Sequence, residues 1–133
     1  MAFVPDASVA AARVLPDEEA VVANLALDRL VEEAAKVPGL FWHELRTLLL
    51  TAERRGRIDK HHAEVSLAPL RQLRIVSSDN MDDRAVMTLA RSHHLTAYDA
   101  SYLALAIRED CALASLDRRL NEAAIAEGVV TFT

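Results

Sequence analysis

Aromatic residues are scarce in this chain, 5% of 133, so whatever core it builds is made mostly of Ala, Leu and Val. Glycine is scarcer still. Gly39, Gly56 and Gly128 are the only three, and none falls in a GxGxxG or GxxxxGK(S/T) pattern, so neither common Gly-rich phosphate loop is present. Cys111 is the sole cysteine, which excludes an intrachain disulfide framework and fits a reducing compartment. No apolar run approaches the roughly 18 residues of a membrane span, and the opening "MAFVPDAS" has no basic n-region. The expectation is a cytoplasmic protein with no membrane partner. Lysine is limited to Lys36 and Lys60, and the net charge is −5, which by itself argues against a nucleic-acid partner. The basic charge that exists is bunched in "ERRGRIDKHH" (53–62), where Arg54, Arg55, Arg57 and Lys60 form either a phosphate-holding edge or a solvated helix end.

What the chain has is apolar residues, 52% of it, enough for one sizeable core over 1–133 as a single domain. "AFVP" (2–5) reads as a first strand and 7–15 as a short helix. The helical spacing of apolar residues predicts one long helix over 17–37, broken by "PG" at 38–39. A second long helix follows over 40–56, ended by Gly56 at C′. A third spans 59–73, kinked or cut short by Pro69. Then come a strand at 74–78, helices at 82–94 and 96–110, a buried strand at 111–116, a helix at 117–128 closed by Gly128, and a last strand at 129–133. Short apolar strands separated by helices imply an α/β fold, a parallel sheet of four to five strands with helices on both faces.

Such sheets place ligands beyond the carboxyl ends of their strands. Asp6 and Asp117 each stand between a strand and a helix. Each also fits a plain helix N-cap. Asp99 lies within "LTAYDASYLALA" (95–106) and shares its helix face with Leu95, Tyr102, Leu103 and Ala106. A capping box with Thr96 is the local alternative. Glu44 repeats the arrangement, with Phe41 and Leu48 beside it. Four scattered buried carboxylates would be costly. At a separation of 4 Å two of them repel by roughly 4 kcal/mol at an effective dielectric near 20, and a hard divalent cation converts that repulsion into attraction. The expectation is a metal-binding acidic cluster.

The blocks "FVPDASVAAARVLPDE", "LFWHELRTLLL", "LTAYDASYLALA" and "CALASLDRRL" resemble, in order and over nearly the whole length, the PIN-domain ribonucleases, most of all the VapC-type toxins of bacterial toxin–antitoxin pairs. By that resemblance Asp6, Glu44, Asp99 and Asp117 correspond to the family's acidic quartet. Ser8 and Ser115 match the hydroxyl positions that support it. The resemblance implies Mg²⁺ (or Mn²⁺) dependence, with Asp6, Asp99 and Asp117 as metal ligands. It also implies cleavage of RNA to 5′-phosphate and 3′-hydroxyl ends, a homodimer, and neutralisation by a cognate antitoxin. Pro5 departs from the family, which usually has an aliphatic residue there, and predicts an irregular end to the first strand.

Other classes fit less well. A phosphoacceptor receiver domain needs a paired acid after its first strand and a lysine near its last, and this chain has neither. A haloacid-dehalogenase-type phosphatase needs DxD, and Ser8 stands at the second position. A catalytically silent PIN-fold binding module is the remaining alternative. "WHELR" lacks the second histidine of HExxH, because Thr47 occupies that place. His61–His62 and His93–His94 are expected to be exposed or capping. The apolar face of 17–37, with Val22, Leu25 and Leu30, and the helix over 59–73 are expected to border a groove for an antitoxin helix or a dimer.

Overall fold

The computed structural model describes residues 2–16 and 21–132. In chain order the elements are β1 (Ala2–Pro5), α1 (Ala7–Val14), α2 (Val21–Leu30), β2 (Ala34–Pro38), α3 (Leu40–Arg54), α4 (Lys60–Val65), α5 (Leu67–Arg71), β3 (Ile75–Ser78), α6 (Asp83–His93), α7 (Ala97–Glu109), β4 (Ala112–Ala114) and α8 (Arg118–Ala126). The four strands form one parallel sheet in the order β3-β2-β1-β4. Alternation along the strands loads both faces: Val4 and Leu113 enter one apolar cluster with Phe41, Leu45 and Leu105, while Phe3 and Ala114 enter another with Val9, Ala26 and Phe132. The fold is α/β, with helices flanking a short parallel sheet.

Strand order decides where a ligand can sit. From β1 the chain steps outward through β2 to β3, then returns to place β4 on the other side of β1. The carboxyl ends of β1 and β4 therefore flank the switch point of the sheet. Asp6 and Asp117 follow those two strands.

Three sequence expectations need correction. The helix expected over 17–37 ends at Leu30, and Ala34–Pro38 is the strand β2 (residues 17–20 lie outside the described residues). Apart from Val37, "AAKVP" holds no residue that favours a strand. It is extended because it is a central strand, hydrogen-bonded to β1 and β3 with Ala35 and Val37 fully buried. Val31 is 82% exposed in the turn that redirects the chain. The helix expected over 59–73 is two short helices broken at Ser66. Pro69 removes a donor and its ring crowds the carbonyl four residues back, at Val65, which puts the break three residues before the proline. The final strand over 129–133 is reduced, among the described residues, to a parallel bridge between Leu113 and Thr131.

Pro5 does not disturb β1. It pairs in register with Ala114, and Asp6 N–H continues the ladder to Ala114 O at 2.9 Å. The N–H that Pro5 lacks would point the other way, toward β2, where pairing already ends at Phe3 and Ala35. Gly56 sits at C′ of α3 with φ 75°, the left-handed conformation that glycine adopts without a Cβ clash. At Gly39 a Cβ would meet only the tip of the exposed Asp79 side chain, Oδ1 at 2.5 Å, which can swing aside. No helix among the described residues is long and apolar enough to cross a membrane.

The groove expected between 17–37 and 59–73 is nearly closed. Leu27 and Leu30 of α2 approach Leu70 and Leu73 around a cavity of about 20 Å³, room for about one water. The alanines Ala23 and Ala26 form the buried face of α2. Leu25 points away from it, 40% exposed.

Candidate active site

Each of the four acids is placed by a local device that the sequence encodes. Asp6 caps α1, accepting at Oδ1 from Ser8 N–H at 3.1 Å and Val9 N–H at 3.3 Å. Asp117 caps α8, accepting at Oδ1 from Arg119 N–H at 2.8 Å and Leu120 N–H at 3.1 Å. Asp99 occupies the first turn of α7, where Thr96 Oγ1 accepts from Asp99 N–H at 3.1 Å. Glu44 lies in the first turns of α3. The helix-cap alternatives for Asp6 and Asp117 therefore hold for the backbone, and in both residues the capping bonds use Oδ1 alone.

Asp6 is the most enclosed of the four, 5% exposed. Two serines hold it. The Ser8 hydroxyl donates to Oδ1, and the Ser115 hydroxyl, 109 residues away in sequence, donates to Oδ2. Both serines also accept from the segment joining β4 to α8: Leu116 N–H donates to Ser8 Oγ at 3.1 Å, and Asp117 N–H to Ser115 Oγ at 2.9 Å. Register explains the contact. Pro5 pairs with Ala114, so the next residue on each strand, Asp6 and Ser115, also stand side by side. The two hydroxyls therefore relay the position of the Asp117 loop onto Asp6.

Glu44 is half-buried and accepts the Tyr102 hydroxyl at Oε1, 2.6 Å away. Tyr102 is fully buried. Its position three residues after Asp99 was the sequence signal that it shares the acid's face, but nothing in the sequence paired it with Glu44, 58 residues distant. Tyr102→Phe is expected to slow the RNA cleavage that the sequence resemblance implies about tenfold and to cost about 1 kcal/mol of stability, because half-buried Glu44 loses a donor. Paired cleavage and urea-unfolding measurements check this, and unchanged activity would remove the Tyr102–Glu44 bond from the working site.

Asp6, Glu44, Asp99 and Asp117 all line one open cleft of about 490 Å³, together with Ser8 and an apolar and aromatic wall that includes Leu40, Leu48, Tyr98 and Tyr102. His43 and Thr47, on the same helix as Glu44, complete a rim that sequence reasoning did not assign. Neither lysine nor arginine lines the cleft among the described residues. The electrostatic result is visible in the acids. Burial pushes the Asp6 carboxyl above the usual carboxylate range, opposed by the hydrogen bonds from Ser115, Ser8 and Val9, with the Asp99 charge pushing it up further. Burial likewise raises Glu44, opposed by the Tyr102 hydroxyl and reinforced by the charges of Asp99 and Asp6. Asp99 is raised by burial and then by the Asp117 charge, with the Thr96 hydroxyl opposing. The acids repel one another across one space.

The donor set is all oxygen, the preference of a hard cation. Among the described residues no three of His, Cys, Asp or Glu form a closed ligand cage, so the acids make a rim rather than the tight cluster expected from sequence. Such an oxygen rim suits a hydrated divalent cation that keeps several waters and takes one or two carboxylates directly.

The paired histidines of the sequence are elsewhere. His62 Nε2 lies 2.7 Å from Val14 O at the end of α1, a capping contact, and His93 pairs with Glu127 at 2.7 Å. His94 is the left-handed C-cap of α6.

Comparison with known proteins places this geometry. No curated protein matches the sequence. Solved structures do match the fold. PAE2754 from Pyrobaculum aerophilum aligns with a TM-score of 0.70 at 21% identity, over 99% of this chain and 90% of that one. FitAcB from Neisseria gonorrhoeae gives 0.68 at 20% identity, over 98% and 96%. VapC20 from Mycobacterium tuberculosis, a sarcin–ricin loop cleaving toxin, gives 0.64 at 18% identity, over 92% and 95%. The family model described as PIN domain matches residues 3–126, almost the whole of the sheet and its helices. The chain belongs to the PIN-domain family.

Proposed function

We propose that this chain is a divalent-metal-dependent endoribonuclease of the VapC toxin type, neutralised by a cognate antitoxin and acting as a homodimer. The observation that carries the reading is the cleft itself: four carboxylates from four separate elements and, among the described residues, no lysine or arginine on its walls. A site so charged binds an anionic phosphodiester only with a cation between them. Asp6, Asp99 and Asp117 would hold that cation, Mg²⁺ or Mn²⁺, directly or through water. When bound, it supplies a lowered pKa for water and neutralises charge building on the phosphate oxygens.

The protein's own groups do the rest. Ser8 and Ser115 keep Asp6 in one rotamer and tie it to the Asp117 loop. The Tyr102 hydroxyl fixes Glu44 through Oε1, and the other carboxylate oxygen would orient the attacking water or accept its proton. The water oxygen adds to phosphorus, the bond from phosphorus to O3′ breaks, and the products carry a 5′-phosphate and a 3′-hydroxyl.

Incubating the purified protein with total cellular RNA, in Mg²⁺ and in EDTA, and mapping the ends tests the reading. Discrete Mg²⁺-dependent cuts with 5′-phosphate ends are expected. An intact RNA pool in Mg²⁺ and in Mn²⁺, with the protein folded, would sustain instead the silent binding module.

A further inference from the structure

A second groove, of about 390 Å³, opens beside the acidic cleft and shares Ser8, Leu48 and Asp117 with it. It runs along α1 past Ala11 and Leu15 and ends at Arg55 and Arg57, where α3 stops. We propose that this groove is a phosphate subsite for the single RNA strand that continues from the cleft, with the Arg55 guanidinium as its anchor. The inference rests on the nuclease reading and deepens it.

Three observations carry it. The first is charge. The chain has a net charge of −5, and the walls of the cleft offer no cation of their own, so a polyanion needs cationic contacts beyond the scissile position. The second is availability. Arg55 is exposed at the C-cap of α3 and makes no ion pair among the described residues, unlike Arg29, Arg108 and Arg118, each of which has a carboxylate partner. Its side chain does no evident structural duty, and a guanidinium takes a phosphate through two parallel hydrogen bonds. The third is continuity. Because Ser8 and Asp117 border both spaces, a chain lying in the groove runs on to the catalytic acids. That is the path of a substrate strand.

Two substrates separate the subsite from the chemistry: a single-stranded RNA oligonucleotide, and bis(p-nitrophenyl) phosphate, a diester with no neighbouring phosphate. With the full chain in Mg²⁺, Arg55→Ala is expected to raise KM for the oligonucleotide about tenfold, leaving turnover of the small diester unchanged. In anisotropy titrations of the labelled oligonucleotide, the slope of log affinity against log salt should shrink by about 0.7, one phosphate contact on a single strand. Arg55→Lys should keep most of the slope and lose part of the affinity. Unchanged KM and slope in Arg55→Ala would overturn the proposal. So would equal losses on both substrates, which would mean that the end of α3 had shifted. Unchanged RNA binding with lost binding of polyglutamate would give the groove to a protein partner and also overturn it. If the parent binds RNA through Arg55 but cuts nothing, the subsite stands and the nuclease reading falls.

Discussion

Asp6→Asn is expected to lower RNA cleavage by about 10³-fold and to leave the fold intact. The loss corresponds to about 4 kcal/mol of transition-state stabilisation, the several kcal/mol that a correctly held metal supplies. The amide keeps the shape of the carboxylate and one strong acceptor, so the bonds from Ser8 N–H and Val9 N–H survive. Its NH₂ group then faces Ser115, whose hydroxyl can turn to accept. Burial already disfavours the charged form of Asp6, so a neutral replacement relieves the fold as it empties the site. Asp99→Asn and Asp117→Asn should behave alike, since asparagine also caps a helix well at position 117. Cleavage rates at fixed Mg²⁺, with Tm measured on the same samples, provide the check. Any one of the three variants with parental activity would take that residue out of the site.

The second large effect is on stability and depends on pH and metal. Asp6, Glu44 and Asp99 all have carboxyls raised in the folded state. A group raised by folding binds its proton more tightly in the native state than in the unfolded chain. Its contribution to stability is complete below the unfolded carboxylate range, near pH 4, and is lost as pH rises through the folded values. In EDTA the protein is therefore expected to lose stability from about pH 4 toward neutrality. Mg²⁺ at about 100 times its Kd should restore about 2.7 kcal/mol, a Tm increase of about 10 °C for a domain of this size. Asp99→Asn removes one charge from the repelling set. In EDTA at neutral pH it should melt no lower than the parent, and it should gain less from Mg²⁺. A carboxylate that served only as a helix-terminal charge would give the reverse, a loss of about 0.3–1 kcal/mol independent of metal. Thermal unfolding of both proteins in EDTA and in Mg²⁺ distinguishes the two.

The sequence by itself determined the local devices. The carboxylates of Asp6 and Asp117, the Thr96 hydroxyl ahead of Asp99, and Gly56 and Gly128 act at helix ends through bonds or dihedrals spanning a few residues. Such interactions belong to the segment that contains them. Asp6 and Asp117 were legible from standing between a strand and a helix, Asp99 and Glu44 from sharing a helix face with apolar residues. Tertiary structure alone decided what the local pattern could not. "AAKVP" is a strand because β1 and β3 take its backbone bonds on both sides, against the helical preference of Ala and Lys. The pairing of Glu44 with Tyr102 and of Asp6 with Ser115 spans 58 and 109 residues, distances over which helical periodicity carries no information. Strand order then set β1 beside β4, and with it the meeting of Asp6 and Asp117 at one cleft. Propensity acts over a few residues, whereas register and strand order are fixed by burial of the whole sheet, and the site exists only at the second of these scales.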